Sequence, residues 1–530
     1  MLIIRGDLVT FDDDHRVVPN GRILVGDDGR IAKILSPGDQ VPDAFNAART
    51  VDFDGFVYPG LVDCHNHIPY NTIGLWGIPT RPDPFVDHNE WTKPVVYNRQ
   101  ITAPQKFLGW AAGPSLLAYV ETKAMLGGTT TIQGSGRFPA VEGVLVRNVD
   151  SERFGTASDK FRVDTLVKRE VGDFDSVRTA MRDDKAGYFY HLAEGVDRST
   201  MGPEWKLAKD GGVVQLRFVA IHGTGLLKSE LKQLAAAKAT LVWSPFSNMW
   251  LYGATADIIT ARALGLRLCL GSDWAPSGTR NVLGELKVAK LWNKDPSKWH
   301  RKGASVPVPP AGGVFTSRDL CDLVTRNPGD AVANVYGPQI GRIQELLLAD
   351  LIFVRRNQNN PYTNLINATE PDVELVMIGG AARCGTAELI ATCGTKSTTT
   401  VKFASGGKQH ERRVLIRNPK NAAKTMTWAA ILKRLKFVRD HPEEADQELA
   451  SALAAAAAGG ESVFIVEGDM PFGNPGDDAL AAAGPGQKPD PVEIPPFDPL
   501  CHESTYFDAV DANPYHRGLL SPLRDFYPES

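Results

Sequence analysis

The chain has 530 residues, 43% hydrophobic and 23% charged, enough apolar material to bury a large core in two or three domains. A formal net charge of -4 with no long block of lysine and arginine excludes an electrostatic grip on nucleic acid or anionic lipid. No apolar stretch approaches the roughly 20 residues that cross a bilayer, and Met1-Leu2-Ile3-Ile4-Arg5 lacks the pattern of a signal peptide, so a cytoplasmic protein with a small-molecule partner is expected.

Residues 1–58 show short alternating runs broken by turns, such as Gly21-Arg22-Ile23-Leu24-Val25-Gly26 and Arg30-Ile31-Ala32-Lys33-Ile34-Leu35, the pattern of a small antiparallel sheet. The same signal returns at 349–354 and 373–380, so both ends of this core are expected to build one β-domain. Leu61-Val62-Asp63, after a Pro-Gly turn, reads as a buried strand. It leads into Cys64-His65-Asn66-His67, where two imidazoles one residue apart project to the same side as a clamp for a metal. Residues 69–114 then interrupt the pattern with prolines at 69, 79, 82, 84 and 94 and with Trp76, Phe85, Trp91 and Tyr97. A loop of that length predicts a cover over a site or a contact between subunits.

From there apolar runs alternate with helical stretches. The runs are Thr129-Thr130-Thr131-Ile132, Gly143-Val144-Leu145-Val146, Tyr188-Phe189-Tyr190, Phe218-Val219-Ala220-Ile221, Thr240-Leu241-Val242-Trp243 and Leu266-Arg267-Leu268-Cys269-Leu270. Helices are expected at 115–126, 228–237 and 256–264. Repeated strand and helix over about 280 residues imply a parallel sheet closed as an eight-fold barrel, with the chemistry where strands end. Further on, 398–416 predicts a hairpin around Gly406-Gly407, 422–458 two helices, and the Pro-, Gly- and Asp-rich stretch 468–500 an extended or surface-wrapping segment without chemistry. The cysteines at 64, 269, 321, 384, 393 and 501 show no Cys-x-x-Cys spacing, which fits reduced thiols; Cys64 and Cys269 read as core packing.

Polar side chains gather at the ends of these runs. Tyr188-Phe189-Tyr190 leads into His191-Leu192-Ala193-Glu194, Phe218-Val219-Ala220-Ile221 into His222, and Leu268-Cys269-Leu270 into Gly271-Ser272-Asp273. Three neutral imidazoles and a carboxylate suit zinc or, second, iron, with a position left for water. His65, His67, His191 and Asp273 are therefore the expected ligands of one divalent ion.

His65-x-His67, His191-x-x-Glu194, His222-Gly223-Thr224-Gly225, Ser244-Pro245-Phe246-Ser247-Asn248 and Gly271-Ser272-Asp273, in that order within residues 1–386, resemble the amidohydrolase superfamily, above all its chlorohydrolase and nucleobase-deaminase branch. The resemblance implies an α/β fold: a distorted (β/α)8 TIM barrel at 59–339, a small β-sandwich from 1–58 and 340–400, and a C-terminal extension at 401–530 that departs from the family. It implies a metal-dependent hydrolase attacking a C–N or C–Cl bond of a small, cyclic amidine- or amide-like substrate with metal-bound hydroxide. Glu194 would move protons between water and the leaving nitrogen, His222 would hydrogen-bond water or substrate, and Asp273 would share the base's work. The physics agrees, since a metal lowers the pKa of water towards 7 and an amine leaves badly unless protonated.

Asn248 would orient Asp273 or touch the substrate. Trp274 stands at the substrate where adenosine-deaminase relatives carry a second aspartate, which disfavours a purine nucleoside. Two other readings remain open. One is a binuclear cyclic amidase resembling dihydroorotase, with Lys168 carboxylated, although Arg169 and Glu170 beside it suit a solvated turn. The other is a non-catalytic metal-binding scaffold, against which Glu194 and His222 argue, because structural metal sites are closed. The long loop and the tail suggest a homo-oligomer.

Overall fold

A computed structural model of the protein describes residues 1–527 apart from 79, 135–144, 301–306, 312 and 469–486. The expected strand at 143–146 therefore lies partly outside the described residues.

The two ends of the core meet in one nine-stranded sheet. Strands β1 (Leu2–Val9), β2 (Val17–Val25), β3 (Ile31–Leu35) and β4 (Arg49–Pro59) supply one half. β4 pairs antiparallel with β13 (Leu351–Arg355), in the register Pro59 to Leu351, and β14 (Val373–Ile378) and β15 (Ala381–Gly385) continue from it. Side chains of β13 alternate between faces. Leu351 and Phe353 join an apolar cluster with Ile4, Ile23 and Val51, whereas Ile352 and Val354 join the main core. β16 (Thr399–Ser405) and β17 (Lys408–Val414) form the hairpin expected at Gly406-Gly407. Both glycines take positive φ, +57° and +67°, as a two-residue loop between twisted strands requires. Through β17 this hairpin hydrogen-bonds to β15, so residues placed by sequence in the C-terminal extension add two strands to the sheet.

Among the described residues, eight short parallel strands in two sheets lie between these halves. β5 (Leu61–Asp63), β6 (Thr129–Ile132) and β7 (Arg147–Asn148) form the first; β8 (Phe161–Asp164), β9 (Gly187–Leu192), β10 (Phe218–His222), β11 (Thr240–Trp243) and β12 (Arg267–Leu270) form the second. The continuous apolar character of β9 to β11 follows from burial on both faces. The sheets approach each other at one edge, where Cys64 N–H donates to Leu270 O (3.1 Å).

Residues 69–114 fold into short helical turns whose aromatic side chains pack inward. Trp76, Phe85, Trp91 and Tyr97 are all buried. The described part of the C-terminal segment also packs inward, with Asp498, His502, Tyr506 and Tyr527 buried. Aromatic anchors among its prolines give this segment apolar area that its overall composition conceals. All six cysteines are free thiols. Among the described residues, no helix is long and apolar enough to cross a membrane.

Candidate active site

Parallel strands deliver their C-terminal ends to one place. His65 and His67 follow β5, His191 lies within β9, His222 ends β10, and Asp273 stands just beyond β12. Asp273 is tied to the first strand's turn, since its N–H donates to His65 O (2.9 Å) and its carbonyl accepts from His67 N–H (2.7 Å). Four imidazoles converge. Ring centroids lie 4.7 Å apart for His65–His67 and for His65–His191, 5.2 Å for His65–His222 and 5.3 Å for His191–His222. His222 and Asp273 hold left-handed backbone, φ +65° at each, which costs a side-chain-bearing residue about 1–2 kcal/mol. The surrounding structure enforces that strain at two residues the chemistry would use.

Among the described residues three groups have donor atoms all within 4.8 Å of one another: His65, His67 and His191; His65, His222 and Asp273; and His191, Glu194 and His222. Asp273 Oδ1 lies 3.2 Å from His65 Nε2 and 3.6 Å from His67 Nε2, while His67 Nε2 and His191 Nε2 face each other at 3.3 Å. His65 Nε2 is buried and makes no hydrogen bond. Its other nitrogen, Nδ1, faces Gln133 Oε1 (3.3 Å), and Gln133 Nε2 donates to Asp150 Oδ1 (3.2 Å). That outer pair leaves the proton on Nδ1 and the lone pair of Nε2 aimed at the cluster. Burial, and then the neighbouring imidazoles, hold His191 well below the usual histidine range. For Asp273 burial acts upward, but His65, His222 and His67 outweigh it and keep the carboxyl below the ordinary range. Buried imidazole nitrogens and a carboxylate oxygen converging within a few ångströms fit a divalent transition-metal ion.

Glu194 sits beside this cluster. Its Oε2 is 3.7 Å from His222 Nε2, and its Oε1 accepts the Tyr252 O–H (2.7 Å). Burial, then the Asp273 charge, pushes the Glu194 carboxyl well above its usual range. His222 is held neutral, its pKa lowered to about 3 mainly by burial. Its tautomer follows from a chain of three contacts. The Thr255 hydroxyl accepts from Trp243 Nε1–H (2.7 Å) and donates to Asn248 Oδ1 (3.2 Å), which turns the Asn248 amide nitrogen towards His222 Nδ1 (3.2 Å). Nδ1 therefore accepts, and the ring proton on Nε2 faces Glu194.

Each residue singled out by sequence can now be placed. His65, His67, His191, Glu194, His222 and Asp273 come together. Asn248 engages His222 rather than Asp273, with both ends of its amide occupied inside the protein. Trp274 is buried among Tyr70 (5.5 Å), Trp91 (5.7 Å) and His67 (6.1 Å), its indole N–H donating to Ser277 Oγ. Lys168 lies outside all three donor groups; its ammonium pairs with Asp164 Oδ2 at 2.9 Å. Sequence reasoning missed Gln133, Asp150 and Tyr252, and named Trp91 only as part of the long loop. Tyr252 ends the helix Pro245–Tyr252, two turns beyond Ser244, and the indole of Trp91 from the long loop donates to its hydroxyl (2.8 Å). Gln133 follows β6, and that strand-end position was the available signal. Next to it Gly134, at φ +101°, passes so close to Asn66 that a Cβ there would fall 1.5 Å from the Asn66 carbonyl oxygen.

No family model matches the chain. Over 183 residues it is 30% identical to the 5-methylthioadenosine/S-adenosylhomocysteine deaminase of Pyrococcus furiosus, covering 33% of this chain and 40% of that protein. In the first curated relatives matched, the likeness spans about two fifths of their length. A protein of the same name from Pelotomaculum thermopropionicum is 23% identical over 417 residues, covering 72% of this chain and 92% of the relative. Among solved structures, a mutant atrazine chlorohydrolase from Arthrobacter aurescens TC1, complexed with zinc and atraton, superposes with a TM-score of 0.55 at 18% identity, covering 74% of this chain and 99% of that one.

Proposed function

We propose that the chain belongs to the amidohydrolase superfamily and is a mononuclear zinc hydrolase that displaces an amino or chloro substituent from an amidine-like carbon of a small heterocycle. The observation carrying this reading is geometric: the buried Glu194 carboxyl lies 3.7 Å from His222 Nε2, beside a buried cluster of imidazole nitrogens and the Asp273 carboxylate. His65, His67, His191 and Asp273 would hold the ion, which when bound supplies a Lewis acid that makes water nucleophilic at neutral pH. Glu194 takes a proton from the attacking water and delivers it to the departing nitrogen. Neutral His222, with its Nε2 proton fixed by Asn248, donates a hydrogen bond to the developing charge on substrate or water. Tyr252, held by Trp91, keeps Oε2 of Glu194 facing the reaction by occupying Oε1.

The names of the relatives support a ring-borne leaving group: deaminases of 5-methylthioadenosine and S-adenosylhomocysteine on one side, a chlorohydrolase of atrazine on the other. The superposition and the Cys64–Leu270 hydrogen bond favour closure of the eight parallel strands as a distorted (β/α)8 barrel, flanked by the β-domain built from both ends. Free thiols suit a reducing, cytoplasmic compartment. The binuclear reading is less well supported, because the Lys168 ammonium is engaged by Asp164.

Elemental analysis combined with turnover tests this proposal. A chelator-stripped sample should regain ammonia or chloride release from a panel of aminopurines, chlorotriazines and cyclic amidines with one zinc per chain. Two tightly held ions per chain would favour the binuclear reading, and a zinc-loaded sample inert across the panel would favour the scaffold. Tyr252→Phe should lower kcat roughly tenfold at nearly constant KM, since a hydrogen bond worth about 1–1.5 kcal/mol corresponds to that factor. An unchanged kcat would show that Tyr252 does not position Glu194.

A further inference from the structure

The two turns that carry the expected metal ligands are joined by side chains that are not themselves ligands. Asn71 N–H2 donates to Asn66 Oδ1 (3.0 Å), the residue between His65 and His67, and Asn71 Oδ1 accepts Ala275 N–H (2.8 Å), two residues beyond Asp273. One carboxamide thus spans the histidine turn and the aspartate turn. Asn71 is itself fastened from behind, because Lys123 Nζ donates to its carbonyl (2.9 Å). Lys123 is wholly buried on the helix Gly113–Leu126, and its counter-ion is Asp498 of the C-terminal segment. Asp498 is likewise buried and also pairs with Arg280, at 2.5 Å, in the loop after β12. Its own backbone N–H donates to Thr72 O (2.8 Å), next to Asn71. A buried carboxylate facing two buried cations is costly to lose, since either cation left alone is desolvated without compensation.

We propose that Asn71 is one of the residues that space the His65–His67 turn from Asp273, and that Asp498, acting through Lys123, holds Asn71 in place, so that the C-terminal segment is a working part of the metal site. This rests on the metal-hydrolase reading above. Asn71 and Asp498 are positioning residues, acting on the ligands through hydrogen bonds to their turns. Outer partners of this kind typically govern metal affinity by 10- to 100-fold.

The test measures zinc affinity of the full-length protein by competition with a chromophoric chelator, a readout independent of turnover. Asn71→Ala and Asp498→Asn should each weaken zinc binding by about 10- to 100-fold. Leu375→Ala, equally buried but in the apolar cluster on the far face of the nine-stranded sheet, should destabilise the fold and leave zinc affinity unchanged. Wild-type affinity in Asn71→Ala would overturn the proposal, and wild-type affinity in a folded Asp498→Asn would remove the C-terminal segment from it. Should Asp498→Asn not fold, Asp498→Glu is read in its place: it keeps the charge and displaces it, and normal affinity there would count against the role of Asp498. Failure of the wild-type protein to bind zinc at all would instead overturn the metal-hydrolase reading.

Discussion

Glu194→Gln is expected to keep one zinc per chain and lose kcat by about 10²- to 10⁴-fold, the range that a positioned proton carrier contributes. The substitution isolates the proton. Glutamine has the same shape, and its carbonyl oxygen can still accept the Tyr252 hydroxyl that now reaches Glu194 Oε1 at 2.7 Å. What it lacks is the ability to take a proton from water and pass it on. Burial and the nearby Asp273 charge raise the Glu194 carboxyl, so the wild-type group holds its proton into a pH range where an ordinary carboxylate has released it. The variant should therefore also lose the limb of the pH–rate profile that reports this group. Turnover at the wild-type rate with a normal profile would take Glu194 out of the mechanism.

Asp273→Ala should be the more damaging change for the metal. It removes the carboxylate oxygen that lies 3.2 Å from His65 Nε2 and 3.6 Å from His67 Nε2, and with it the negative charge that opposes four crowded imidazoles. Zinc affinity should fall by more than the 10- to 100-fold typical of outer-shell partners, and activity should fall with it. A companion variant separates ligation from backbone strain. Residue 273 has φ +65°, which glycine adopts freely and alanine does not. Asp273→Gly should bind zinc as poorly as Asp273→Ala while unfolding at a higher temperature, by the equivalent of about 1 kcal/mol. Zinc affinity in Asp273→Ala within a few-fold of wild type would show that the carboxylate is not a ligand.

The donor cluster was legible because each member follows a short apolar run, and strand ends in a parallel sheet converge whatever the intervening loops do. His191 and Asp273 could be placed at strand ends on that ground, and the runs at 349–354 and 373–380 could be joined with residues 1–58 in one β-domain. The groups that tune the cluster were not legible. Tyr252 reaches Glu194 only because its helix begins directly after β11, and Trp91 reaches Tyr252 only through the packing of a long loop. Neither contact leaves a period or a spacing in the sequence. Asn248 shows the same limit, since its presence near the site was readable whereas its attachment to His222 depends on the hydroxyl of Thr255. The stretch 468–500 reads from its proline and glycine as extended or surface-wrapping; 469–486 lie outside the described residues and 487–499 carry no helix or strand. Composition gave no sign that Asp498 is buried against Thr72 and Lys123.

The register that joins Pro59 to Leu351 carries a kinetic consequence. These partners are separated by roughly 290 residues, and closing so long a loop costs about 5 kcal/mol of chain entropy before any contact offsets it. β1, β2 and β3 can pair early as neighbouring hairpins, whereas β4 and β13 must wait until every parallel strand between them has found its place. Contacts of such sequence separation make for slow refolding, with the seam between β4 and β13 among the last parts to seal.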